Sequence, residues 1–169
     1  MSRELSVSGS IHIAVDPETV YDAVSDVRQM GRWSPENRGA QVEGAFEAAY
    51  VGMRFVGDNK RGPVRWQTGC TVTSADRGRR FAFDVNRYGV APLLFRVKVA
   101  AWDYAFEAEG GGTLVTETWF DGRPHWPDMA TRAFDPLVTR HRSFADFQRG
   151  NIARTLKRLK SELESDTTS

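Results

Sequence analysis

Glu117 lies in a run, Thr113 to Asp121, whose alternation groups it with Val115 and Trp119 on one face of a strand. Leu114, Thr116, Thr118 and Phe120 take the other face. A one-residue slip in pairing exchanges the two faces, and both carry apolar groups, so either register is open. Turned inward, the carboxyl loses hydration, its pKa rises above the ~4.3 of an exposed glutamate, and it becomes a candidate general acid or base. Turned outward, it is an ordinary solvated carboxylate. Tyr104 is the best polar contact in the chain. Like the indoles of Trp66 and Trp102, its hydroxyl needs a hydrogen-bond partner when buried, and a ligand or a water can supply one. Cys70 is a candidate nucleophile only with a depressed pKa and a neighbouring base, neither of which the sequence provides; it reads as a small buried hydrophobe on the strand Val64 to Ser74.

The common catalytic arrangements are missing. There is no Gly-x-Ser-x-Gly elbow, no phosphate-binding loop of the Walker type and no Cys-x-x-Cys pair. His12, His125 and His141 are far apart and none has a second ligand at metal-site spacing. The expectation is a protein without metal or cofactor.

The aromatic residues group by strand. Trp66, Thr68, Cys70 and Val72 share one parity; Phe81, Phe83 and Val85 another; Trp102, Tyr104 and Phe106 a third. Three adjacent strands presenting these rings to one interior would enclose a broad apolar space. An ordinary filled core is the plain alternative.

The elements that must position these groups are legible in outline. Leu5, Val7, Ile11 and Ile13 alternate with Ser6, Ser8, Ser10 and His12, the period of a half-buried strand. Asp16 suits an N-cap, Pro17 the first helical position and Glu18 the positive helix end, with Val20, Val24 and Val27 on one face until Gly31. Six more strands are expected: Gln41 to Glu47, Met53 to Asn59, Val64 to Ser74, Arg79 to Arg87, Arg96 to Glu107 and Thr113 to Asp121, joined as an antiparallel meander. Glu109-Gly110-Gly111-Gly112 is the clearest hairpin tip. Ile152, Leu156, Leu159 and Leu163 form the apolar stripe of a terminal helix beginning near Ser143.

Two segments resist this scheme. The connection Tyr88 to Phe95 is unusually apolar, and Leu93, Leu94 and Phe95 are expected to border an entrance, as a lid, a homodimer contact or a touch-point for membranes, with a simple packed loop as the plain alternative. Between Arg123 and Arg142, Trp126-Pro127 and Asp135-Pro136 break any single helix, which leaves short helical turns.

Composition narrows the function classes. The chain has 169 residues, 40% hydrophobic, with net charge +1 and one cysteine. That is enough for a single domain, assigned to residues 1–164 with a disordered tail at 165–169, and no disulfide is needed. A near-neutral charge gives no broad drive toward nucleic acid. No stretch approaches the ~20 apolar residues of a membrane span, and the N-terminus has no signal-peptide core, so the expectation is a cytoplasmic protein with no stable membrane insertion.

The run Ile13-Ala14-Val15-Asp16-Pro17-Glu18-Thr19-Val20-Tyr21, the turn Gly31-Arg32-Trp33-Ser34-Pro35-Glu36, and Gly111-Gly112-Thr113 with Thr116-Glu117-Thr118 resemble the polyketide cyclase/dehydrase and lipid-transport group of the START-like (SRPBCC) superfamily. The resemblance covers roughly Leu5 to Leu163. It implies an α+β helix-grip fold: a seven-stranded antiparallel sheet wrapped around a long C-terminal helix, two short helices after the first strand, and a cavity for hydrophobic ligands. Asn59 and Glu36 lie near where that cavity would open. The expected function is binding or carriage of a lipid, isoprenoid or polyketide-like molecule; the alternative is a cofactor-free aromatase/cyclase with Glu117, Tyr104 or Asn59 moving protons. Expected ligand contacts are Trp33, Trp66, Phe83, Leu94 and Trp102, with Asn59, Cys70, Tyr104 and Glu117.

Overall fold

The computed structural model describes residues 3–123 and 125–167. β1 (Ser6–Ile13) leads into α1 (Pro17–Ser25), whose N-cap is Asp16: its carboxylate accepts from the Thr19 amide at 3.0 Å, and Pro17 occupies the first turn, where a missing N–H costs nothing. A 3-10 helix, Val27–Arg32, follows. Then come β2 (Asn37–Val42), β3 (Arg54–Arg61), β4 (Val64–Asp76), β5 (Arg80–Val90), β6 (Leu93–Glu109), β7 (Gly112–Asp121), α2 (Asp128–Thr139) and α3 (Phe144–Asp166). The strands form one antiparallel sheet in the order β1-β7-β6-β5-β4-β3-β2. This is the α+β helix-grip arrangement.

Several boundaries differ from expectation. β2 begins and ends earlier than Gln41 to Glu47, because Gly44, at φ 101°, takes the chain out of the strand. The apolar connection is mostly strand: Tyr88 pairs with Phe95, Gly89 with Leu94 and Val90 with Leu93, leaving a turn of Ala91 and Pro92. α2 is one helix that contains Pro136. Contacts outside the helix anchor it at the proline, since the Asp135 carboxylate accepts from Arg123 and from the Phe144 amide, and within it the Thr139 hydroxyl donates to the Asp135 carbonyl one turn back. α3 starts after its N-cap Ser143 and runs through Ser165 and Asp166, which the sequence placed in a tail; positions 168 and 169 lie outside the described residues. Leu5 precedes β1 and is exposed.

The register of β7 follows from hydroxyl pairs. Ser8 bonds Thr118 at 2.7 Å and Ser10 bonds Thr116 at 2.8 Å across the outer face of β1 and β7. Alternation then turns Val115, Glu117 and Trp119 inward, where all three are buried.

The two ends of the concave face are filled differently. Under α1 the core is solid: Tyr21 meets the edges of Phe81 and Phe106 at ring separations of 6.4 and 5.8 Å, beside Val20, Val24 and Val27. α3 lies tight against β1 through Ile152, Leu156, Leu159 and Leu163. A Cβ at Gly9 would stand 2.8 Å from Ile152 Cγ2, so only glycine permits this approach. Lys160 donates to the His12 carbonyl and Glu164 accepts from the Ala14 amide, fastening the helix to the end of β1. Away from β1 the first half of α3 bounds a cavity.

Candidate functional site

A cavity of about 610 Å³ lies between the sheet and α3, within the range of small-molecule sites. β3 contributes Phe55, β4 Cys70, β5 Phe83 and Val85, β6 Trp102 and Tyr104, and β7 Glu117 and Trp119. Most of these side chains are fully buried and form the floor. The rim is built from Val64, Tyr88, Trp126, Phe134 and Leu137, all substantially exposed.

On the floor, Glu117 is 2% exposed. Tyr104 is its cross-strand neighbour and donates its hydroxyl hydrogen to Glu117 Oε1 at 2.8 Å. Oε2 has no partner among the described residues and is buried. Desolvation pushes the Glu117 pKa up to about 8, against the opposing effect of the Tyr104 hydrogen bond. Burial and the adjacent glutamate hold the Tyr104 hydroxyl well above its ordinary value. At neutral pH the pair is therefore predominantly two neutral groups, a carboxylic acid and a phenol. Burial also pushes the Cys70 thiol up to about 12, which makes it a poor nucleophile.

The wall opposite is polar, and its groups are already engaged. Asn59 donates to Thr68 Oγ1 at 3.1 Å and to the Gly57 carbonyl at 3.2 Å. Arg61 donates to Glu36, reaches the Val138 carbonyl at 2.7 Å, and stacks on Phe147 at 4.1 Å and Trp66 at 5.4 Å. Glu36 also accepts from Asn151 at 3.3 Å. At the rim, Arg123 is buried between two carboxylates: Asp121, which it grips with Nε and Nη2 at 3.0 Å, and Asp135 at 3.1 Å. Its guanidinium lies over Phe144 at 4.6 Å and Trp126 at 5.4 Å.

Of the residues singled out in the sequence, Trp33, Asn59, Trp66, Cys70, Phe83, Trp102, Tyr104 and Glu117 all line this cavity, as does Glu36. Leu94 does not. Alternation with its neighbours Leu93 and Phe95 puts it on the opposite face of β6 from Phe95, the partner of cavity-lining Tyr88. Leu93 and Phe95 are 64% and 66% exposed at the hairpin tip. Tyr104, whose hydroxyl needs a partner when buried, finds it in Glu117. His12 bonds the Glu109 carbonyl and His141 lies against the Phe147 ring. Among the described residues, no group of three or more His, Cys, Asp or Glu could hold a metal.

The sequence reading missed Phe144, Gln148, Asn151 and Thr155, which line the cavity from α3. Their spacing of four, three and four residues places them on one helical face. That periodicity was available, but the polar residues masked it as solvent-facing. Arg123 was also missed, its ion pairs being invisible without the fold.

Residues 4–164 match the family described as polyketide cyclase / dehydrase and lipid transport. No curated protein matches the chain. Among solved structures, a START superfamily protein from Mycobacterium smegmatis is similar at TM-score 0.68 and 14% identity, covering 96% of this chain and 99% of that one. The Polyketide_cyc-like protein Cgl2372 from Corynebacterium glutamicum is similar at TM-score 0.57 and 25% identity, covering 99% and 96%. DynU16, a protein of the dynemicin biosynthetic locus, is similar at TM-score 0.63 and 14% identity, covering 97% of this chain and 49% of its own.

Proposed function

The chain belongs to the polyketide cyclase / dehydrase and lipid transport family, and from that premise we propose that it binds or carries a hydrophobic small molecule in the cavity between sheet and α3. One observation carries the reading: a volume of about 610 Å³ lined by Phe55, Phe83, Trp102 and Trp119, with a largely buried floor and an exposed apolar rim. A filled core would leave no such space, since interiors otherwise pack to crystal-like density. The proposed contacts are Trp33, Trp66, Phe83, Trp102, Asn59, Cys70, Tyr104 and Glu117. Titration of the folded protein with a naphthalene fluorophore is expected to saturate, and native mass spectrometry of protein from its source is expected to show a retained lipophile. Absence of saturable binding would falsify the reading.

The second reading is a cofactor-free cyclase or dehydratase acting on a polyketide chain. The Tyr104–Glu117 hydrogen bond favours it, because an acid with a pKa near neutrality is suited to proton transfer. A polyketide mimic turned over by the wild type, and about 100-fold more slowly by Glu117→Gln, would select this reading over the carrier.

A further inference from the structure

The polar groups around the cavity are unequal in what they can offer a ligand. Asn59, Glu36, Arg61 and Asn151 bond one another or the backbone, and Arg123 is held by two carboxylates. Glu117 Oε2 is the one cavity-lining side-chain atom that is fully buried without a partner among the described residues. It stands on a floor otherwise formed by rings, aliphatic groups and a protonated thiol. A buried polar atom left unpaired is costly; Oε2 is closed off in this conformer, but Glu117 lines the cavity and the terminal torsion of glutamate is broad, so a turn of the carboxyl plane brings Oε2 to a ligand there.

We propose that the cavity floor receives the carbonyl oxygen of an otherwise apolar ligand, with the Glu117 carboxyl donating through Oε2 while Tyr104 holds Oε1. The proposal rests on the ligand-binding reading above and names the ligand's chemical class, an apolar ketone. The direction of the hydrogen bonds decides this class. Tyr104 donates to Oε1, which makes Oε1 the acceptor oxygen and leaves the acid proton for Oε2. A ketone oxygen accepts only, so a single donor satisfies it. A hydroxyl could accept in the same way but must also place its own hydrogen, for which the site offers only the remaining lone pairs of Oε1 and of the Tyr104 oxygen, both already beside a donor. An amine would require an ionised carboxylate in an apolar site, and desolvation opposes that ion. A carboxyl kept neutral by its surroundings is a known way of presenting a donor to a carbonyl.

Few other ionisable groups face this site. On β6 there is Tyr104, on β4 Cys70 and on β5 Tyr88, all of whose values burial raises. The register opposite on β1 is Gly9, without a side chain. α3 presents the uncharged Gln148, Asn151 and Thr155. The charged lining groups, Glu36 with Arg61 and Arg123 with Asp121 and Asp135, are paired among themselves.

The test compares 2-acetylnaphthalene with 2-ethylnaphthalene, probes that share the naphthalene ring and two-carbon chain and differ in the ketone oxygen. Calorimetric titration of the wild type at about pH 6.5 is expected to show the ketone binding about tenfold more tightly, the scale of one buried hydrogen bond. The preference is expected to shrink as pH rises past about 8, where the ionised carboxyl can no longer donate. In Glu117→Gln, whose amide still donates, the preference should persist and lose its pH dependence. In Glu117→Leu, with folding checked by circular dichroism, it should vanish while both probes still bind. Equal affinity of the two probes for the wild type overturns this proposal and leaves the cavity reading standing. Failure of both probes to bind the folded protein overturns the two together.

Discussion

Glu117→Gln should change the pH dependence of stability more than it changes the fold. Glutamine keeps the side chain's shape and its bond to Tyr104 while removing the titration. In the wild type the folded-state value, about 8, lies above the unfolded 4.5. Between those two values the folded protein keeps a proton that the unfolded chain has released, so stability is full on the acid side of 4.5, falls as pH rises, and levels off above about 8. At ~1.4 kcal/mol per pKa unit the whole displacement is worth about 5 kcal/mol, and roughly 4 kcal/mol of it is lost between about pH 5 and about pH 9. That is a large share of the ~5–15 kcal/mol that holds a domain together. Urea unfolding followed by tryptophan fluorescence in a pH series gives both curves, and subtracting the variant's removes the contribution of every other group. The wild type should lose stability relative to Glu117→Gln with rising pH. Parallel curves would mean that the carboxyl is hydrated in the folded state, and both the burial argument and the neutral-acid argument would fall.

Tyr104→Phe removes the hydrogen bond that lowers the Glu117 value, so carboxyl titration followed by NMR should move to still higher pH; a downward move contradicts the pairing. Arg123→Met leaves Asp135 buried without its cation and Asp121 with Arg3 alone, and chemical denaturation should show a loss of about 3–5 kcal/mol. Gly9→Ala forces a Cβ against Ile152 and should cost about 1–3 kcal/mol in the same assay. Cys70 should resist iodoacetamide at mildly alkaline pH until denaturant exposes it, because its thiol stays protonated. Leu93→Ser with Phe95→Ser should leave the melting temperature nearly unchanged, since both side chains face solvent.

The strands were legible because their period of two survives in the sequence, and the parities of Trp66, Phe83 and Tyr104 point to the side of the sheet that the cavity occupies. The face of Glu117 was ambiguous because apolar residues flank it on both parities. Phe120 and Leu114 look as core-like as Trp119 and Val115, yet Phe120 is exposed. The hydroxyl pairs that settle the register, Ser8 with Thr118 and Ser10 with Thr116, join residues more than a hundred positions apart. The apolar hairpin reads as a connection because Gly89 and Pro92 interrupt it, yet Tyr88, Gly89 and Val90 pair with Phe95, Leu94 and Leu93 as strand, with Val90, Leu93 and Phe95 exposed at its tip. α2 misled through its proline: the helix is anchored around Pro136 by the Asp135 carboxylate, which holds Arg123 and the Phe144 amide, contacts outside the helix that its own pattern does not encode. Arg61, Glu36 and Asn151 come from three separate elements, and only the fold makes them neighbours.

An open sheet has two unpaired margins, and such margins invite other chains to add strands. β1 is one of them, and α3 reaches over its end: Lys160 caps the His12 carbonyl and Glu164 the Ala14 amide, groups that would otherwise be free to pair with a foreign strand. β2 is the other. It is six residues long, with a bulge near Gly39 and a break at Gly44, too short and too irregular to template a regular ladder. The helix that bounds the cavity thus also covers the end of one sheet margin, so a single element serves both the ligand space and the edge of the sheet.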